Sequence, residues 1–117
     1  MKLSAYPAML EKDWQKVVLA IAKKGGWVWH HELPSQRASG RWSTHACGEP
    51  GFPDLILVHP SGQLVVAELK TAKGRTTKHQ EMWLKLLQEA GVEVHVWRPS
   101  DRSAVEMRLI GWKYKNQ

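Results

Sequence analysis

The sequence predicts an α/β domain, and three observations carry that expectation. An amphipathic helical stretch precedes Gly25-Gly26, two apolar runs flank Pro60-Ser61-Gly62, and a second helical stretch leads into an alternating run that stops at Pro99. With 117 residues the chain reads as one domain, 1–117, large enough to bury ~60–70% of its unfolded surface without a stabilising staple. Its 43% apolar and 24% charged residues place it among ordinary globular domains and exclude a disordered or fibrous class. Seventeen Lys and Arg against eleven Asp and Glu leave a formal charge of +6, which favours a polyanionic partner, nucleic acid first. A single cysteine, Cys47, excludes an internal disulfide framework and suits a reducing cytosol. The N-terminus lacks the apolar core of a signal peptide, and no stretch approaches the ~20 apolar residues of a membrane span, so a cytoplasmic protein with no membrane partner is expected.

The elements follow in order. Over 7–24, Leu10, Trp14, Val17, Val18 and Ile21 fall at helical spacing, with Pro7 suited to the first turn and Gly25-Gly26 to the stop. The aromatic and β-branched run 27–32, "WVWHHE", reads as a strand. Residues 33–50 have neither period and collect Gly, Pro and Ser with Arg37, Arg41 and Trp42, the profile of a long loop that is functional or mobile. A hairpin then joins "DLILVH" to "QLVVAELK". Residues 76–91 form a helix that opens on Thr77 and Gln80 at capping-box spacing and stops at Gly91. "VEVHVW" (92–97) alternates as a strand, and 100–112 reads as a closing amphipathic helix. The order is α-β-β-β-α-β-α, with a four-stranded sheet as the central layer.

The hairpin raises the chemical question. A three-residue loop with Gly62 in the left-handed position sets His59 opposite Gln63, and that register puts Asp54 directly across from Glu68 on one face, with Lys70 two residues on. A two-residue turn would instead send Asp54 to the other side. Both hairpin faces are otherwise apolar, so helices are expected on both. Two carboxylates facing each other in a sheet repel and cost several kcal/mol to bury unless something positive lies between them. A hard divalent cation answers that need, and so could Lys70 alone, as a satisfied cluster without chemistry.

Gly51-Phe52-Pro53-Asp54 at a strand start, a hairpin, and then Glu68-Leu69-Lys70 in the second strand resembles the PD-(D/E)XK nuclease superfamily. An acid in the first helix, Glu11, and a glutamine opening the helix after E-x-K, Gln80 followed by Trp83, look like its VRR-NUC branch. The similarity runs from about residue 8 to about residue 98. It implies a restriction-endonuclease-like fold with a mixed sheet and a Mg²⁺- or Mn²⁺-dependent endodeoxyribonuclease. Asp54, Glu68 and the backbone carbonyl of Leu69 would bind the ion. Lys70 would orient the attacking water or stabilise the transition state, and Glu11 would act on the ion through water or hold a second ion. Gln80 would help position substrate, although the capping box competes for the same amide. Glu11 shares a helix side with Trp14, Val18 and Ile21 and is expected to point inward.

Lys73, Arg75 and Lys78 follow E-x-K directly, and with Arg37 and Arg41 they are expected to grip backbone phosphates, while Trp42 is available to stack on an unpaired base. His30, His31, His45 and Cys47 could ligate zinc by type, but their spacing matches no firm zinc pattern. Trp97 or Trp112 could anchor an interface, with core packing the simpler role. A bare catalytic domain has little surface for reading a sequence. Stand-alone VRR-NUC proteins, often phage-encoded, resemble junction-resolving enzymes, which implies a homodimer in a bacterial cytosol acting on branched DNA, a Holliday junction above all, with no small-molecule cofactor. A flap or nicking endonuclease, a restriction-like partner, a non-catalytic nucleic-acid-binding module and a structural component of a phage or replication complex stand as alternatives.

Overall fold

The computed structural model describes residues 8–31, 35–36, 42–43 and 48–115, with side chains described for 8–31 and 48–111. Helix α1 (Glu11–Lys24) begins after an extended Leu10, later than the expected start; Pro7 lies outside the described residues. Glu11 and Asp13 in the first turn and Lys23 and Lys24 in the last match the helix dipole at both ends. Gly25 caps the helix where a Cβ would lie only 2.2 Å from the Leu109 carbonyl oxygen, so glycine is what allows α1 to end against the last helix.

Strand β1 (Val28–His31) follows. The segment expected to be unstructured carries two short strands, β2 (Ser35–Gln36) and β3 (Trp42–Ser43), paired antiparallel. Residues too few to show a period can still exchange ladder hydrogen bonds, which is why the sequence pattern missed this ribbon. Strands β4 (Leu55–His59) and β5 (Gln63–Leu69) form the hairpin, with His59 paired to Gln63 and Leu55 to Ala67, the expected register. Gly62 takes φ +96° and closes the loop by donating its N–H to the His59 carbonyl at 2.9 Å. Helix α2 (Lys78–Glu89) crosses over to β6 (Glu93–Trp97), and a 3-10 turn at Pro99–Asp101 leads into α3 (Arg102–Lys115), two residues later than expected.

The sheet order is β1-β4-β5-β6, antiparallel at the first two pairings and parallel at the third, the mixed four-stranded sheet of an α/β domain. Leu55, Leu57, Val65, Ala67 and Leu69 all face α1 and α3 and join Trp14, Val18, Trp27, Trp97, Val105 and Leu109 in one buried core. Trp97 therefore belongs to the core and not to an interface; the side chain of Trp112 lies outside the described residues. Two indoles are satisfied across this layer, Trp14 Nε1 donating to the Trp97 carbonyl at 3.0 Å and Trp27 Nε1 to the Leu109 carbonyl at 2.9 Å.

The opposite face departs from the expectation that helices cover both sides. There α2 packs against β6 and Val66 is buried, but Val58 and Leu64 are 46% and 44% exposed. The cause is topological, since the one helix on this side connects neighbouring strands β5 and β6 and so lies over that half of the sheet. The acids occur at the covered end.

Candidate active site

Asp54 stands just before β4, and its Oδ2 accepts the Leu69 backbone N–H at 2.9 Å, so the hairpin register continues to the Asp54–Glu68 pair. The residues before it are held against the first turn of α2. Gly51 has φ +95°, and a Cβ there would come within 2.7 Å of the His79 backbone, which excludes every other residue at this close approach. Trp83 Nε1 donates to the Pro50 carbonyl at 3.0 Å, and Phe52 meets the Trp83 ring edge-on at 5.0 Å between centroids. Trp83 thus couples the segment that delivers Asp54 to the helix that delivers Gln80.

Glu68 is 1% exposed and is the one buried charged residue among the described residues. Its Oε1 accepts from Gln80 Nε2 at 3.4 Å, whereas Oε2 is buried with no hydrogen-bond partner among the described residues. Burial, then a hydrogen bond that the protonated carboxyl can make to Asp54 and the Asp54 charge itself, push Glu68 up to about 9; Lys70 pulls the other way, and Glu11 adds a smaller push upward. Lys70 makes no ion pair within 4 Å with either acid among the described residues. The alternative of a closed, satisfied Asp–Lys–Glu cluster therefore does not describe this site. Its backbone N–H is tied down, donating to the Trp97 carbonyl at 3.0 Å.

Two expectations are corrected. Gln80 completes the capping box and still faces the site, a combination that competition for one amide was expected to prevent: its Oε1 accepts the Thr77 N–H at 2.8 Å, while its Nε2 reaches Glu68. An amide has an acceptor end and a donor end, and the cap uses the first alone. Glu11 is exposed and does not point into the core, although it is near enough for its charge to act on Glu68. A first-turn residue can share a side with buried neighbours and still project beyond the sheet end, where no described layer closes over it.

Of the expected phosphate contacts, Lys73, Arg75 and Lys78 are exposed on the connection from β5 into α2. Arg37, Arg41 and the side chain of Trp42 lie outside the described residues, as do His45 and Cys47. His31 Nδ1 is 2.9 Å from Gln15 Nε2, and alternation along β1 turns His30 to the other face.

The donors fit a hard divalent cation. Two carboxyls share one face, and one of them has a buried oxygen that no described donor reaches and a proton affinity far above normal. Among the described residues no group of three or more His, Cys, Asp or Glu converges, so the set is sparse. Mg²⁺ is commonly held by one or two carboxylates, with water and substrate phosphate completing the shell.

A mixed sheet with two acids, a lysine and a glutamine gathered at one end defines a nuclease-type domain. The VRR-NUC domain family model matches residues 29–101, and the chain belongs to that family. Two solved structures are similar: one called a VRR_NUC domain, with 23% identity and a TM-score of 0.55 over 74% of this chain and 81% of that one, and a VRR_NUC domain protein, with 17% identity and a TM-score of 0.54 over 88% and 92%. At those identities the likeness speaks to the fold. No curated protein matches the sequence significantly.

Proposed function

We propose that the protein is a metal-dependent, structure-specific DNA endonuclease of the PD-(D/E)XK type, resembling a Holliday-junction resolvase and acting as a homodimer in the cytosol. The observation that carries the proposal is the buried Glu68 carboxyl set against Asp54, with one oxygen that no described donor reaches: a protein that only bound DNA would gain nothing from burying one acid against another next to phosphate. Among the described residues no helix is long and apolar enough to cross a membrane.

Asp54, Glu68 and the Leu69 carbonyl would hold Mg²⁺ or Mn²⁺, which when bound polarises the scissile phosphate and supplies a nucleophile near neutral pH. The remaining work falls to side chains of the chain itself. Lys70, half-buried two residues after Glu68, has three N–H donors with which it holds the attacking water in line or compensates charge gathering on the phosphate oxygens. Gln80 Nε2 fixes the rotamer of Glu68. Glu11 orients water from the open side, and Lys73, Arg75 and Lys78 grip the flanking backbone.

The test incubates the protein with labelled four-way junction, flap and linear duplex DNA in Mg²⁺, Mn²⁺ or EDTA, alongside Lys70→Ala. Symmetric metal-dependent nicks in the junction, absent from the variant, are the expected result. Preference for another substrate would replace the junction assignment, and binding without cutting would overturn the enzyme.

A further inference from the structure

Between Lys70 and Thr77 the chain has to leave β5, present its cations and enter α2, with no regular structure to hold it. The group that does so comes from elsewhere in the sequence. Arg98, the residue after β6, directs Nη1 at two carbonyls of this connection, Thr71 and Gly74, at 2.6 Å each. One guanidinium nitrogen carries two N–H bonds, so both contacts are made by a single planar donor without sharing a hydrogen. The loop is closed on itself by the Gly74 N–H, which donates to the Thr71 carbonyl at 3.3 Å.

Arg98 is itself held. Its backbone N–H donates to Asp101 Oδ2 at 2.8 Å, and the carbonyl just before it, of Trp97, accepts both the Lys70 N–H and the Trp14 indole. The anchor is thus the end of β6 at the buried Trp97, tied to the core on one side and to the E-x-K strand on the other. The two cations of the loop, Lys73 and Arg75, are exposed, while Arg98 is part-buried.

We infer that Arg98 is a positioning residue for the DNA backbone: it fixes the Thr71–Gly74 loop so that Lys73 and Arg75 are presented as a preformed phosphate grip beside Lys70. The inference rests on the nuclease proposal for its substrate, but the pinning of the loop does not. A preformed grip binds with less ordering cost than a loose one, so the effect belongs in substrate binding more than in the chemical step.

Lys73 and Arg75 are themselves trypsin sites, which supplies a readout independent of DNA. In Arg98→Lys the charge and the aliphatic stem are kept and the planar donor is lost, while position 98, followed by Pro99, is resistant to trypsin in both proteins. Cleavage after Lys73 and Arg75 should quicken about tenfold relative to cleavage elsewhere in the chain, with the melting temperature nearly unchanged. In the same variant KM for DNA should rise about fivefold with kcat within about twofold. The double variant Lys73→Ala/Arg75→Ala should raise KM to a similar level, and adding Arg98→Lys to it should change KM little, because the clamp then has no cations to present. Unchanged loop proteolysis, or KM effects that multiply in the triple variant, would overturn the inference. A wild type that neither binds nor cuts DNA would overturn the nuclease proposal and the grip with it, and the proteolysis result would still report separately on the clamp.

Discussion

Two glutamates on neighbouring strands meet opposite fates. Glu93, on β6, faces the helix-packed side of the sheet, where Arg108 donates Nε to its Oε2 at 2.7 Å and Nη2 to its Oε1 at 2.9 Å, and His95 Nε2 lies 2.7 Å from Oε2. Arg108 also lies 5.3 Å from the centroid of the Trp27 ring, a cation–π contact. The Arg108 hydrogen bonds, chiefly, draw the Glu93 carboxyl down to about 2. Glu68, on β5, faces the other side, has one long hydrogen bond and an orphaned oxygen, and is raised to about 9. The fold gives one acid cationic partners of its own and gives the other no ion pair among the described residues. An acid that serves stability is expected to look like Glu93, and one kept for a ligand like Glu68.

The largest expected effect breaks the Glu68 half of the contrast. On the proposed mechanism, Asp54→Ala, Lys70→Ala and Glu68→Gln should each lower the cleavage rate by about 10²–10³-fold or more, since the first and last remove a carboxylate that would hold the ion and the second a cation that would meet charge developing on the phosphate. All three should remain folded and bind junction DNA in a gel-shift assay. Glu68→Gln is the sharpest of them: it keeps the shape, removes a buried acid from beside Asp54, and should melt no lower than wild type while cutting is lost. Cleavage at the wild-type rate in any of the three would defeat the assignment.

The converse substitution moves stability and leaves chemistry alone. Charge-assisted hydrogen bonds are worth ~1.5–3 kcal/mol, but the Arg108 and Glu93 side chains are 29% and 37% exposed, so solvent screening reduces the expected loss in Glu93→Ala to about 1–2 kcal/mol. For a domain of this size the melting temperature should fall by about 4–8 °C for each kcal/mol. The cleavage rate per folded molecule should match wild type. A fall in rate would mean that this network also shapes the site.

Titration separates the two acids by sign. Glu93 has a folded pKa below its unfolded value of 4.5, so its contribution is present above about 4.5 and is lost as pH falls toward about 2. Glu68 is raised, so its protonated form is favoured by the fold; its contribution is complete below 4.5 and is lost as pH climbs toward about 9. Melting curves of metal-free protein should therefore weaken at both ends of the pH range. Glu93→Gln should flatten the acid arm and Glu68→Gln the alkaline arm, and Mg²⁺ or Mn²⁺ should lift the alkaline arm of wild type and of Glu93→Gln but not of Glu68→Gln, because the ion binds the deprotonated carboxyl. An alkaline arm that survives in Glu68→Gln would assign it to another group.

The contrast also marks what the sequence could show. The Asp54–Glu68 pairing was legible because a three-residue loop ending in Gly62 admits one register, and register is arithmetic once the loop is known. Helix α2 was legible from Thr77 and Gln80, whose spacing is that of a capping box. The Glu93–Arg108 pair was not, because it joins a strand to a helix fifteen residues on with no local signature. Arg98 left no signal either: an arginine before a proline reads as a strand end, and its partners are carbonyls, which every residue has. The open half of the sheet was missed because apolar alternation on both faces cannot show how far one helix extends.

The smallest effect concerns Gln80, which touches both the cap and the acid. Thr77→Ala removes the hydroxyl that accepts the Gln80 N–H at 3.1 Å, but leaves the Thr77 backbone N–H to hold Gln80 Oε1 and so to aim Nε2 at Glu68. Gln80→Ala removes the cap contact and the Glu68 contact together. Both should cost about 0.5–2 kcal/mol, the ordinary worth of an N-terminal cap, and so melt alike. They should differ in rate: Thr77→Ala close to wild type, Gln80→Ala slower by up to about tenfold, a modest loss because the bond to Glu68 is long at 3.4 Å. Equal rates in the two variants would make Gln80 a cap and nothing more. A slower Gln80→Ala would show that the fold has left Glu68 short of partners while still fixing the direction in which it waits for one.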